Sequence, residues 1–292
     1  LYNSTFTGND TINSGPGGAV NAHDNAVVNI GNSVVAGNNG SEGRNTVYAG
    51  EGAVINSLGG NVFDQSGVGG VGDIFESDLD QIFDDVVSLP GVAARTAGGL
   101  SDNGGPVATV ALNPVGVAVD AGDNANLPQD DFDLDNDLLT AEDLPVDARG
   151  EDRAQNGTVD SGAYEAAPTQ TLLVTTSASS GADVFDGGDL AAETSDGGGL
   201  SLIEALALVQ NGDTIEFDAG ISGETIDVGG EFGSLSTSAD NLTIDGDIDN
   251  DGTADITINM WGGTASLTLT GGSPLDGQDV SVDGVTFTRA SG

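Results

Sequence analysis

Two runs of the chain carry carboxylates at alternate positions, the spacing that suits a hard, oxygen-seeking cation. The first is Asp131-Phe-Asp133-Leu-Asp135-Asn-Asp137, with Glu142 eleven positions after Asp131. The second is Asp247-Ile-Asp249-Asn-Asp251-Gly252-Thr-Ala-Asp255, with Gly at the sixth place and Asp at the ninth. A looped Ca²⁺ site gathers about six to eight oxygens from such positions and needs a sharp turn at the sixth. In the first run Asn136 stands there, and Asn is the residue after Gly that best tolerates left-handed backbone. The second run has Ile258 where a twelfth-place acid belongs, so water or a neighbouring strand would complete its shell. The expectation is Ca²⁺ as cofactor, held by Asp131, Asp133, Asp135, Asp137 and Glu142, and by Asp247, Asp249, Asp251 and Asp255. The bland alternative for the first run is an acidic insertion that holds no ion.

Other reactive groups are sparse. Basic residues number 5, all of them arginines, there is 1 His, and Cys is absent. A β-helical polysaccharide lyase needs clustered acids on a strand face together with a Lys or Arg base, and Lys is absent. His23 lies in the polar stretch Asn21-Ala22-His23-Asp24-Asn25 and reads as a turn residue rather than a catalyst. Arg289 near Asp283 is the one acid–arginine pair on an expected strand, while Arg149 and Arg153 read as partners of nearby acids. Trp261, Tyr2, Tyr48 and Tyr164 are too scattered to line a sugar groove. The chain is therefore expected not to be an enzyme.

Asp and Glu total 47, which gives a formal net charge of −42. Nucleic acid and anionic membranes are repelled by such a surface, and cations are its natural partners. Self-repulsion of this size destabilises a compact chain unless salt or bound divalent ions offset it, so a salty or calcium-rich medium is expected. Without Cys, no disulfide contributes. No run is apolar enough to span a bilayer, and no signal peptide is visible. A start at Leu1, in mid-pattern, leads us to expect a fragment or processed form.

The elements that would position the carboxylates are short strands. Asn3-Ser4-Thr5-Phe6-Thr7-Gly8-Asn9 returns as Asn32-Ser33-Val34-Val35-Ala36-Gly37-Asn38, 29 positions later. Short β-prone runs broken by Gly, Asn and Asp and repeating at this period mark a solenoid. A sandwich has similar strands but does not repeat whole phrases. Asn beside Gly at each turn suits left-handed backbone and ladders between rungs. Residues 50–72 read as another rung, and 73–87 as a loop or short surface helix. Further on, 171–177 reads as a strand and 200–209 as a short helix with a Ser201/Glu204 capping box. Rungs are then expected at 214–217, 225–228, 242–244, 256–258, 267–269 and 280–288. The predicted fold is all-β, a right-handed parallel β-helix in two segments, with the helix near 200–209 covering the open first rung of the second.

Ser101-Asp102-Asn103-Gly104-Gly105-Pro106 through Leu112, Ala118-Val119-Asp120-Ala121-Gly122-Asp123, Arg149-Gly150, Arg153 and Val159 through Glu165 together resemble a C-terminal signature. It is that of right-handed parallel β-helix proteins of bacterial surfaces, the choice-of-anchor Q domains akin to polymorphic outer-membrane-protein repeats. Asp147 matches the aspartate before that family's Gln-Arg-Gly element, with Ala148 in place of the Gln. The stretch 199–208 resembles the Ser-Leu-Arg-Glu-Ala motif that opens such β-helices, with Ile203 in place of the Arg. The resemblance implies architecture and extracellular display and carries no catalytic residues. It also implies a joint at 166–171: residues 1–166 as the C-terminal part of one β-helix module, and 167–292 as the N-terminal part of the next.

Val285-Thr286-Phe287-Thr288 echoes Thr5-Phe6-Thr7, as if the last rung led toward the first. Ten or so rungs make a rod of about 50 Å, while a six-residue joint reaches at most about 20 Å. Contact between copies, head to tail, is therefore expected rather than closure of one chain on itself. The functional expectation is a calcium-stabilised structural module of a bacterial or archaeal surface fibre or adhesin stalk, located at the cell surface. The alternative is a glycan-binding or glycan-cleaving β-helix.

Overall fold

The computed structural model describes the chain except residues 12–17, 41–46, 66–69, 90–95, 136, 179–184, 186, 196, 230–234, 238, 240, 262–266, 270–280, 284 and 290–292, and except the side chains of 228, 229, 235, 236 and 260–292. The described residues fall into two compact units, one ending at Pro168 and one beginning at Thr169, and each contains rungs of a parallel β-solenoid, about 7 turns in all. Among them no helix is long and apolar enough to cross a membrane.

In the first unit the strands are β1 (Thr5–Phe6), β2 (Val20–Ala22), β3 (Val27–Gly31), β4 (Val34–Val35), β5 (Val47–Ala49), β6 (Val54–Gly59), β7 (Val62–Phe63) and β8 (Ile74–Phe75). All pair in parallel, as the sheets β1-β4-β7-β8, β2-β5 and β3-β6. The repeated phrase sets the register, because Thr5 pairs with Val34 and Val34 with Val62. Asn side chains bond from rung to rung as expected: Asn9 Nδ2 donates to Asn38 Oδ1 at 2.8 Å, and Asn56 Nδ2 to Asn29 Oδ1 at 3.0 Å. Asn3 and Asn32 hold left-handed backbone at φ 44° and 48°, where Asn is among the few side chains that fit readily.

Phe6, Val35 and Phe63 point into the solenoid core with Val20, Ile30 and Val47. Their neighbours Val34 and Val62 point the other way, into a second core with Ile82, Phe83, Val86, Val110, Leu112 and Ala118. The segment that supplies this outer core is not a further parallel rung. The strands β9 (Val86–Ser88) and β10 (Thr96–Gly98) pair antiparallel, as do β11 (Leu100–Ser101) and β12 (Thr109–Val110). The loop or surface helix expected over 73–87 is corrected here. Ile74–Phe75 forms β8 against β7, and a single 3-10 turn spans Leu79–Gln81. Ile82, which caps that turn, and Phe83, bridged to Leu112, are both buried in this outer core.

The second unit opens with β13 (Thr171–Val174) and two helices, α1 (Leu190–Ser195) and α2 (Leu202–Leu208). The rungs that follow are β14 (Thr214–Phe217), β15 (Thr225–Gly229), β16 (Leu235–Thr237), β17 (Thr243–Asp245), β18 (Ile256–Trp261), β19 (Leu267–Leu269), β20 (Ser281–Asp283) and β21 (Val285–Arg289). The sheets are β13-β14-β17-β20, β15-β18-β21 and β16-β19, all parallel. Alternation decides what is inside: Leu172, Ile215 and Ile244 align across three strands and are fully buried. The capping box starts α2, with Ser201 Oγ accepting from the Glu204 N–H and Glu204 returning to the Ser201 N–H. Leu202, Ala205 and Leu206 then join the same core, and α2 packs against β13 and β16. The strand at 235–237 and helix α1 are additions that the sequence pattern did not mark.

Candidate functional site

The first acidic loop hangs from a short antiparallel neck. Gln129 bridges Asp143, the Asp130 N–H donates to the Glu142 carbonyl at 2.9 Å, and the Leu144 N–H to that of Pro128 at 2.8 Å. The neck brings Asp130, which is 1 % exposed, beside Glu142. Two carboxylate groupings result, each with ligand atoms within 4.8 Å of one another: Asp130, Asp135 and Glu142, and Asp133, Asp135 and Asp137. Asp135 belongs to both. Asp131, expected as a ligand, is exposed and lies in neither grouping, whereas Asp130 was not anticipated. Asn136 lies outside the described residues.

Backbone N–H groups hold the carboxylates in place. Asp130 accepts from Phe132 at 3.1 Å and Leu134 at 2.7 Å, Asp133 from Leu138 at 3.0 Å, and Asp137 from Leu139 at 2.8 Å. Glu142 Oε1 is buried and accepts no hydrogen bond among the described residues. Desolvation and the neighbouring charges of Asp137, Asp135, Asp130 and Asp133 raise its pKa. A cation among these oxygens would offset both effects.

The second loop joins β17 to β18 and brings Asp247, Asp249 and Asp251 together within the same distance of 4.8 Å. Asp247 accepts from Asp251 at 3.1 Å and from Gly252 at 2.9 Å, and Asp249 from Asp251 at 3.2 Å. Gly252 sits at φ 82°, the left-handed turn that its sixth place requires. Asp255 lies apart: its carboxylate accepts from the Ile248 N–H at 2.9 Å and the Ser222 hydroxyl at 3.1 Å. It closes the base of the loop rather than joining the grouping. Ile258, at the twelfth place, is buried in the core. In both loops the donor set is oxygen alone, which fits Ca²⁺. Next to the second loop, Glu216 and Asp245 pair in register, and like charges directly opposite are destabilising.

The signature residues near the end of the first unit converge on a buried ion cluster. Asp147 meets Arg149 at 2.7 Å, and the Arg149 guanidinium lies 3.7 Å from the centre of the Tyr164 ring. Burial acts to raise the Asp147 carboxyl, but the Glu165 N–H, the Arg149 guanidinium and the Arg149 N–H outweigh it and hold the pKa below its ordinary value. Arg153, itself buried, lies 3.7 Å from Glu165. Desolvation pushes Glu165 up to about 7, with repulsion from Asp160 adding to it, and desolvation pushes Asp160 up to about 6. The cluster fastens the end of the unit to the rungs. The Gly162 N–H donates to the Asn32 carbonyl at 2.9 Å, the Ala163 N–H to Thr5 Oγ1 at 3.1 Å, and the Ser161 hydroxyl to the Gly60 carbonyl at 2.7 Å. Arg149 and Arg153 thus serve as partners of neighbouring acids.

No known protein-family model, curated protein or solved structure matches this chain. Its chemistry is therefore read from its own residues. His23 packs near Tyr48, ring centres 5.7 Å apart, beside a turn with Asp24 and Asn25 in left-handed backbone. Asp283 and Arg289 fall on β20 and β21, and their side chains lie outside the described residues.

Proposed function

We propose that this chain is a calcium-stabilised structural module of an extracellular fibre or adhesin stalk, stacking head to tail on copies of itself. The observation that carries the reading is that each unit, among the described residues, is built of parallel rungs with edge strands left open. In the first unit β1 and β2 are edge strands of their sheets; in the second, β19, β20 and β21 are. An unpaired edge is a template for another strand, and a heterologous contact of this kind propagates into a filament. At the other end of the second unit α2 packs against β13, so that edge is partly covered. The net charge of −42 supports a cation-dependent assembly outside the cell, and the two oxygen-lined loops supply places for the cation.

Negative-stain electron microscopy in millimolar calcium, and again after chelation, tests this reading. Ordered filaments that shorten or dissolve on chelation are expected. Monodisperse short rods in both conditions would reject the assembly, and binding of the same protein to a glycan array would then favour the glycan-binding alternative.

A further inference from the structure

Five Asn-x-Ser/Thr sequences occur in the chain, at Asn3, Asn9, Asn39, Asn156 and Asn241. This tripeptide is the acceptor sequence for N-linked glycans on exported proteins, and it is used where the Asn stands on an accessible surface turn. The tripeptide alone is a weak signal, and the fold separates the five. Asn3 is 8 % exposed. Asn9 Nδ2 already donates to the Thr7 carbonyl at 3.2 Å and to Asn38 Oδ1 at 2.8 Å. Asn39 Nδ2 donates to Asp10 Oδ1 at 3.1 Å. Asn241 is half-buried, and its Thr243 opens β17, which is paired on both sides.

We propose that Asn156 is the glycan acceptor of the folded chain. It stands at the tip of the turn closed by the Gly157 N–H on the Ala154 carbonyl at 2.9 Å. It is exposed, and its amide has no hydrogen-bond partner among the described residues. Both ends of the turn are fixed. The Ala154 N–H donates to Glu165 Oε1 at 2.9 Å, Asn124 Nδ2 donates to the Gly157 carbonyl at 2.8 Å, and Asn124 Oδ1 accepts from the Val159 N–H at 2.9 Å. Gly157, at φ 87°, faces open space, since a Cβ placed there would meet nothing within 4 Å. A free amide is thus held outward on a rigid base with room around it for a bulky substituent.

The donor is an oligosaccharide carried on a lipid diphosphate. A bond forms between Asn156 Nδ2 and the sugar C1, and the bond from C1 to the diphosphate oxygen breaks. The lipid diphosphate departs with that electron pair, and one amide proton passes to a base of the transferase. The proposal shares with the surface-module reading only that the chain is exported, and depends on neither calcium nor assembly.

The test is cell-free, so it does not depend on where the chain resides. An oligosaccharyltransferase and a short lipid-diphosphate-linked oligosaccharide are first shown to modify the urea-unfolded chain, captured by dilution into the reaction. The folded chain is then treated identically and mapped by peptide mass spectrometry. Expected is one glycan, on the peptide containing Asn156. It is lost in N156Q and in T158A and retained in T158S, which restores the hydroxyl. A folded chain that stays unmodified, or that is modified at Asn9 or Asn241 in place of Asn156, overturns the proposal.

Discussion

Val34 and Val35 are adjacent in the chain and neither is exposed, yet they lie in two different hydrophobic cores. Successive strand residues face opposite ways. Val35 therefore stacks with Phe63 inside the solenoid, while Val34 stacks with Val62 beneath Phe83 and Leu112. Each Val→Ala change removes two methyl groups from a filled site and is expected to cost about 2 kcal/mol. The two losses should differ in place. V34A should raise amide exchange around Phe83 and Asn113, and V35A around Val47 and Phe63. Identical exchange maps for the two variants would refute separate cores.

The ion cluster predicts an opposed pH response. The folded pKa of Glu165 is raised from 4.5 to about 7, and that of Asp160 from 3.8 to about 6. Between those values the folded state binds more protons than the unfolded one, so these groups favour folding at low pH, and that stability is lost as pH rises through 6 to 7. Asp147, with its pKa lowered, acts the other way, and its contribution is lost as pH falls below its ordinary 3.8. Urea midpoints followed by far-ultraviolet circular dichroism should therefore decline from pH 5 to pH 8 at constant ionic strength. E165Q should flatten that decline. The amide also loses an acceptor for the Asp160 N–H and costs about 1–3 kcal/mol at every pH, so the slope, not the level, is decisive.

Much of the solenoid was legible because a phrase repeats and because Leu172, Ile215 and Ile244 alternate with polar neighbours. The cover over the outer face was not. Val34-Val35 is a pair of adjacent apolar residues that obeys no single-face period, since a sheet buried on both sides erases the alternation, and Ile82-Phe83 leaves a 3-10 turn with both side chains in one core. The candidate loops show the same limit. Asp133, Asp135 and Asp137 share one phase of an extended chain and could be read directly, whereas Asp130 is in the opposite phase. It reaches Glu142 only through the pairing of Gln129 with Asp143, a contact without a sequence signal. Asp255 fits the ninth-place pattern but is drawn to Ser222, 33 residues earlier in the chain.

The capping box of α2 gives a local prediction. Ser201 is buried and its hydroxyl accepts from the Glu204 N–H at 3.3 Å, while Glu204 accepts from the Ser201 N–H at 2.7 Å. S201A removes one half of that exchange and should lower the stability of the second unit by about 1 kcal/mol. S201T keeps the hydroxyl and should recover most of the loss. Chemical denaturation of the two variants side by side checks this, and equal losses would show that the site tolerates no change of shape rather than needing the hydroxyl.

The calcium reading makes its sharpest prediction at two aspartates four residues apart. Asp135 belongs to both carboxylate groupings of the first loop, and Asp131 to neither. A ligand that binds only the folded state at a hundred times its Kd stabilises it by about 2.7 kcal/mol. D135N should therefore abolish the rise in melting temperature that calcium produces through this loop, and D131N should leave it intact, although both remove one negative charge. A D251N background, which disables the second loop, isolates the effect. If calcium acts only by screening the net charge of −42, the two variants will respond alike and sodium chloride at matched ionic strength will replace it. Should both variants lose a response that sodium chloride does not replace, the alternate-position ligand set, which contains both aspartates, is correct and the groupings that leave Asp131 out are wrong.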